Sequence, residues 1–205
     1  MPLGKLTHLT SVLVLLGLVA CAGDETYDPL EDYVEVEAAT ILDAPSAVAG
    51  RYAPDHAEQV QRGEYLVELL GCGACHTDGA LVGAPNAERS LAGSRTGIAW
   101  SNPLGEKHPG VVYPPNITPD VETGIGNWSD PEIASAIRFG VRQHGRGGIR
   151  VMPWPGYAQL TEEDLTAMVA YLRSIEPVRH RVPDDVAPGR RATEPFVYFG
   201  YYRRR

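Results

Sequence analysis

Cysteine is scarce in this sequence: Cys21, Cys72 and Cys75 are the only three among 205 residues. With no second cysteine pair and no histidine pair at ligand spacing, Cys72 and Cys75 do not read as half of a zinc site. The βαβ setting of a thioredoxin-like disulfide is missing as well. No apolar run reaches the ~20 residues of a membrane-spanning helix; the longest, Val12 to Ala20, is about half of that. Basic residues are outnumbered, 18 Lys and Arg against 26 Asp and Glu, and aromatics are not interleaved with basic residues, which excludes a nucleic-acid surface. No internal repeat and no clear strand pattern is seen.

What is abundant is glycine, with 22 residues, and proline, with 17, so much of the chain is expected to be loop. A small domain so rich in loops needs something to pack around. Cys72-Gly73-Ala74-Cys75-His76 supplies the means. Two thiols three positions apart reach two vinyl groups on one edge of a porphyrin, and the adjacent histidine then lies under the ring, where a neutral imidazole nitrogen binds iron. One covalent haem c is the expected cofactor. His76 is expected to donate its other ring N–H to a backbone carbonyl, with Pro85, Pro114 and Pro115 as candidates.

A sixth iron ligand has to come from Met152, Met168, His56, His108, His144 or His180. Met168 falls on the apolar stripe of a helix and reads as core packing, and the histidines sit in isolated polar or loop settings that read as surface. Met152 lies in an irregular segment and is followed by Pro153, whose fixed φ and missing N–H suit an extended crossing of a haem face. Met152 is the expected ligand. Histidine and methionine together close the coordination sphere, which argues for electron transfer rather than catalysis. Arg142, Arg146 and Arg150 are candidates to neutralise haem propionates, and Trp100, Trp128 and Trp154 to pack against the ring.

The chain divides into four stretches. Residues 1–20 carry Lys5, the apolar run and Leu18-Val19-Ala20-Cys21, a signal peptide with a lipobox. The pattern resembles bacterial lipoprotein signals, which implies cleavage before Cys21 and its acylation; the alternative is an ordinary signal cut near Ala20 or Ala22. Either way the protein is expected to be exported to the bacterial cell envelope, facing the periplasm or exterior, and in the first case anchored to a membrane by lipid. Residues 21–50 hold eight acidic residues and neither Lys nor Arg before Arg51, and read as a flexible tether with a reach of about 30 Å. Residues 51–180 form the cytochrome domain. Residues 181–205 are a basic and aromatic extension ending in Tyr201-Tyr202-Arg203-Arg204-Arg205, expected as a strand-like return onto the domain or as a docking element.

Within the domain, Ala57, Val60, Tyr65, Leu66, Leu69 and Leu70 predict a helix stopped by Gly71. Ser129-Asp130-Pro131-Glu132 opens a second, carrying Ile133, Ala136, Ile137 and Val141 on one face. Thr161 caps a third, with Leu165, Met168, Val169 and Leu172 at i, i+3, i+4, i+7. The expected fold is all-α.

Pro115-Asn116-Ile117-Thr118-Pro119-Asp120, Thr123 to Ser129, Met152-Pro153 with Tyr157, and Ala170-Tyr171-Leu172-Arg173-Ser174 follow one another in an order that resembles the class I cytochrome c domains of membrane-bound alcohol and gluconate dehydrogenase cytochrome subunits. The likeness covers about residues 55–180. It implies a class I fold with its N- and C-terminal helices in contact, and Met152 as distal haem ligand. It also implies redox partner proteins, and it raises a larger respiratory or dehydrogenase complex as an alternative to a free shuttle. Those subunits usually carry three haem domains and a C-terminal membrane anchor, whereas this sequence has one CxxCH and a lipobox. A third alternative is a haem enzyme or gas sensor with a labile sixth ligand.

Overall fold

The computed structural model describes residues 44–48, 56–100, 108–140 and 151–199. Among these residues there are five α-helices, α1 (Ala57–Leu69), α2 (Cys72–His76), α3 (Asp130–Phe139), α4 (Trp154–Tyr157) and α5 (Glu162–Ser174), and two short 3-10 turns, Ala80–Val82 and Ala87–Arg89. None of the described helices is long and apolar enough to cross a membrane.

The two longest helices, α1 and α5, cross in close contact, as the resemblance implied. Gly63 makes the approach possible: a Cβ there would stand 2.0 Å from the Ala167 carbonyl oxygen and 2.7 Å from Tyr171 Cβ. Around the crossing, Val60, Leu66, Val67, Ile133, Leu165, Met168, Val169, Tyr171 and Leu172 are buried. Met168, 1% exposed, is core, as expected from its place on the stripe. The face of α1 is rotated from the expected one, since Tyr65 and Leu69 are exposed while Gly63 and Val67 are buried. Periodicity counted the large residues, but the contact surface is set by the glycine.

The other two helix starts are built as their sequences indicated. Ser129 caps α3 and Pro131 lies in its first turn, with the Glu132 carboxylate accepting from Ser129 N at 2.6 Å. Thr161 Oγ1 accepts from Asp164 N at 3.1 Å to open α5. Arg173 near the end of α5 gathers the loop before α3, donating to the carbonyls of Ile125 (3.2 Å), Gly126 (3.3 Å) and Trp128 and to the Asp130 carboxylate (3.0 Å).

The all-α expectation is corrected by a three-stranded sheet in the order β2-β1-β3, formed by β1 (Gly97–Trp100), β2 (Gly110–Val112) and β3 (Phe196–Tyr198). β1 pairs antiparallel with β2, Ile98 opposite Val112, and parallel with β3, Ile98 opposite Val197. Strands of three or four residues are too short to show an alternating pattern, and the parallel pairing joins segments about a hundred residues apart, which no local signal reveals. Ala99, Val111 and Tyr113 form a second small core, covered by Val182, Val186, Ala192, Phe196 and Tyr198. The described part of the C-terminal stretch thus returns onto the rest of the protein as a strand.

Of the expected tether, only residues 44–48 are described, and they lie against the helices. Ser90 Oγ donates to the Pro45 carbonyl at 2.6 Å, Glu176 N to the Val48 carbonyl at 3.0 Å, and Ala47 packs on the main core. Residues 1–43 with Cys21, the segment holding Arg142, His144, Arg146 and Arg150, and the terminal Gly200 to Arg205 lie outside the described residues.

Candidate functional site

Gly71 turns the chain from α1 directly into α2. Its φ of +68° is the left-handed conformation that glycine adopts without a Cβ penalty, and open space surrounds it, so the turn alone accounts for the residue. α2 contains Cys72, Cys75 and His76 on little more than one turn, and both cysteines are free thiols. Burial pushes the Cys72 thiol up to about 11, and Cys75 is also raised by burial. A site that resists thiolate formation is a poor metal-thiolate or redox-nucleophile site. It suits a sulfur that ends as an uncharged thioether, for which these thiols stand in.

His76 is 6% exposed, and its Nδ1 donates to the Pro115 carbonyl at 2.8 Å. Of the three proline carbonyls left open by the sequence, the structure selects Pro115. A carbonyl only accepts, so the proton is on Nδ1 and the lone pair that binds a metal is on Nε2. The same bond fixes the ring and raises its basicity. The residues of α2 therefore fit a covalent haem in their donor chemistry: two neutral sulfurs and one oriented imidazole.

The Pro115 carbonyl is itself braced from both sides. Before it, Ser94 N donates to the Pro114 carbonyl at 2.9 Å and Tyr113 N to Asp185 Oδ1 at 3.0 Å. After it, Asn116 is 3% exposed and uses both ends of its amide. Its Nδ2 donates to Thr123 Oγ1 (2.9 Å) and the Val178 carbonyl (2.7 Å), while its Oδ1 accepts from Thr118 N (2.9 Å) and Thr118 Oγ1 (2.8 Å). Sequence reasoning quoted Asn116 only within a motif and gave it no role. An asparagine between prolines in a loop was the available signal.

Thr77 and His180 were also missed. Thr77 is fully buried and its Oγ1 accepts from Leu91 N at 3.1 Å; Leu91 holds a left-handed φ of 57° there. His180 was expected at the surface as an isolated histidine, but it is 7% exposed. Its Nδ1 donates to the Ala92 carbonyl at 3.0 Å, and Arg89 Nη1 lies 3.4 Å from its Nε2 while donating to Asp78 at 2.7 Å. Both nitrogens are engaged in tying the chain after α5 to the loop after α2. Among the remaining candidates, His56 precedes α1 and is exposed, and His108 is half-buried before β2.

Met152 is half-buried and stands two residues before α4. α4 packs against α3 and reaches the C-terminal end of α1. Trp154 Nε1 donates to the Ala136 carbonyl in α3 at 3.3 Å, and its ring covers Gly140, where a Cβ would stand 2.3 Å away. Tyr157, buried, donates its hydroxyl to the Leu70 carbonyl at 3.2 Å. Burial pushes the Tyr157 phenol up to about 12. The Met152 segment and α2 are thus brought to the same end of α1. Trp128 packs on the main core and Trp100 is exposed at the end of β1.

A protein-family model described as Cytochrome c matches residues 60–176. Among relatives, the cytochrome c subunit of alcohol dehydrogenase (quinone) from Gluconobacter oxydans (strain 621H) is 37% identical over 128 residues, 61% of this chain and 24% of that protein. The fructose dehydrogenase cytochrome subunit of Gluconobacter japonicus is 34% identical over 137 residues, 66% of this chain and 25% of that protein. The gluconate 2-dehydrogenase cytochrome c subunit of Pantoea cypripedii is 36% identical over 130 residues, covering 63% and 26%. The matched part of the chain spans about a quarter of the length of these relatives.

Proposed function

The chain belongs to the cytochrome c family, and from that premise we propose that it carries a single haem c, ligated by His76 and Met152, as an exported, membrane-tethered electron carrier. Its function is electron transfer through covalently bound haem c, and it is an electron carrier rather than a catalytic subunit. When bound, the haem supplies a reversible one-electron couple at iron. Cys72 and Cys75 would hold it as thioethers, His76 would offer Nε2, and Met152 would offer its thioether sulfur.

The observation that carries this reading is the buried His76 with Nδ1 bonded to Pro115, directly following two neutral, unpaired thiols. Around it, the chain's own residues keep the imidazole in one tautomer and one orientation. A fixed ring and a neutral thioether sulfur would need little rearrangement when the charge of the site changes. The thioether of Met152 favours the reduced metal relative to a second histidine.

Cys21 is the acylated residue after removal of residues 1–20, and the acidic stretch that follows spaces the domain at 51–180 from a membrane of the bacterial envelope. The extension, 181–205, completes the sheet through β3 and continues into its arginine-rich end. A second reading, in which the chain relays electrons as a subunit of a dehydrogenase complex, draws support from the names of its relatives, which are cytochrome subunits of alcohol, fructose and gluconate dehydrogenases.

Spectroscopy of the holoprotein tests the core of the proposal. The purified protein should retain one haem through denaturation and show the methionine-to-iron charge-transfer band when oxidised; Met152→Ala should abolish the band. Retention of the band in Met152→Ala would reject Met152. Loss of haem on simple denaturation would reject covalent attachment. Cys21→Ala should release the protein from membranes, and a stoichiometric co-purifying dehydrogenase would favour the second reading over the free carrier.

A further inference from the structure

Met152 opens a segment that is closed by its own backbone. The Met152 carbonyl accepts from Trp154 N at 2.8 Å, the Pro153 carbonyl from Gly156 N (2.9 Å) and Tyr157 N (3.2 Å), the Trp154 carbonyl from Ala158 N (2.8 Å) and the Tyr157 carbonyl from Leu160 N (3.1 Å). Pro153 and Pro155 fix φ at two of the positions between. A displacement of the Met152 backbone therefore either breaks this segment or carries it along as a body.

Among the described residues, three side-chain hydrogen bonds hold the body in place. Arg138 Nη2 donates to the Leu160 carbonyl at 2.7 Å and Trp154 Nε1 to the Ala136 carbonyl at 3.3 Å, so both reach α3, which carries no proposed ligand. The third is different in kind. Tyr157 donates to the carbonyl of Leu70, two residues before Cys72 in the turn that launches α2. It alone of the three joins the segment bearing Met152 to the element bearing Cys72, Cys75 and His76.

We propose that Tyr157 is a positioning residue for the sixth iron ligand: its hydroxyl latches the Met152 segment to the start of α2 and thereby sets how readily Met152 leaves the iron. The inference rests on Met152 as that ligand. Tyr157 is buried and Leu70 half-buried, and rupture of the bond leaves the Leu70 carbonyl without this donor. The ring contributes packing by itself, so the hydroxyl is the separable part. The phenol, pushed up by burial, stays protonated through neutral pH and is a donor there.

The test is Tyr157→Phe in the holoprotein, compared with wild type, with Met152→Ala and with Val169→Ala, a core change in α5. Carbon monoxide is the probe, since it enters the sixth position of reduced iron only when the native ligand has left. Loss of one part-buried neutral hydrogen bond predicts binding about fivefold faster in Tyr157→Phe. In the oxidised protein the methionine-to-iron band should disappear at a pH about 0.7 unit lower. Val169→Ala should lower the unfolding midpoint without either change. If Tyr157→Phe binds carbon monoxide at the wild-type rate and keeps the wild-type pH transition, the latch is refuted. It is refuted equally if Val169→Ala accelerates binding as much, because the effect is then general loosening. Met152→Ala separates the two ideas: if it leaves the band and the carbon monoxide rate unchanged, the ligand assignment fails and the latch with it. If it removes the band while Tyr157→Phe is silent, the latch alone fails.

Discussion

Replacing Gly63 by alanine tests the geometry that brings the two ends of the haem-bearing region together. In an isolated helix the change is favourable by about 1 kcal/mol, because alanine loses less backbone entropy. Here the new Cβ would stand 2.0 Å from the Ala167 carbonyl oxygen, 2.6 Å from its carbon and 2.7 Å from Tyr171 Cβ. An ordinary C···O approach is about 3.3 Å, so α1 and α5 have to part by more than about 1 Å. The obstacle is helical backbone and cannot swing aside. A gap of that size forfeits about a quarter to a half of the dispersion attraction of the contacts it opens, and Val60, Val67, Met168 and Tyr171 all pack along this crossing. Overpacking of this kind costs about 1–3 kcal/mol, with the upper end appropriate to a backbone clash. Even after the propensity gain, Gly63→Ala should be destabilised by about 2 kcal/mol, lowering Tm by about 8 °C. Guanidinium unfolding of the holoprotein, followed by far-UV circular dichroism and haem absorbance, reads this directly. Gly71→Ala is the control: nothing stands within 4 Å of its Cβ, so it should lose only about 1–2 kcal/mol through its left-handed φ. A Gly63→Ala protein as stable as wild type would refute the close crossing.

Two further changes probe the loop around the site. Asn116→Ala removes four hydrogen bonds from a buried network adjoining Pro115, and should cost about 3 kcal/mol; altered haem-methyl shifts in the NMR spectrum would report a reoriented His76, and unchanged shifts would separate Asn116 from the imidazole. Asp120 is held below the usual carboxylate range, first by the Thr123 hydroxyl and then by the backbone N–H groups of Thr123 and Glu122. A carboxyl depressed in the folded state contributes stability above its unfolded value, near pH 4, and loses it as pH falls through the folded value. Asp120→Asn should therefore flatten the acid side of the stability profile while leaving the slope above pH 6 as it was, and an unchanged acid limb would count against the turn's role.

The features legible in the sequence were those whose cause is local. A cap at Ser129 or Thr161 and the stripe of α5 are each written within one or two turns, and the CxxCH spacing is a property of five residues. The features missed depend on distant partners. Gly63 carries no periodic signal of its own; only the Ala167 backbone across the crossing gives it meaning. His180 reads as an isolated polar residue until the Ala92 carbonyl and the Asp78–Arg89 pair surround it. The three proline carbonyls offered to His76 were chemically equivalent in the sequence. Choosing Pro115 required the path of the loop.

That path is where the unforeseen sheet meets the site. β2 ends at Val112, and the next three residues are held one after another: Tyr113 by Asp185 and by a bond from its hydroxyl to the Glu194 carbonyl, Pro114 by Ser94, and Pro115 by His76 itself. Asp185 and Glu194 both belong to the C-terminal stretch, which also supplies β3 and the Val186 bridge to Val111. The residues after 180 thus do more than cover a small apolar face. They fix the start of the segment that presents the Pro115 carbonyl, while Asn116 and Val178 fix its continuation. In a loop-rich protein the orientation of an imidazole has to be secured by something stiffer than the loop, and here a strand pair and the chain beyond α5 provide that stiffness. An α-helical reading of the sequence misses the sheet because the sheet serves the loop rather than the helices.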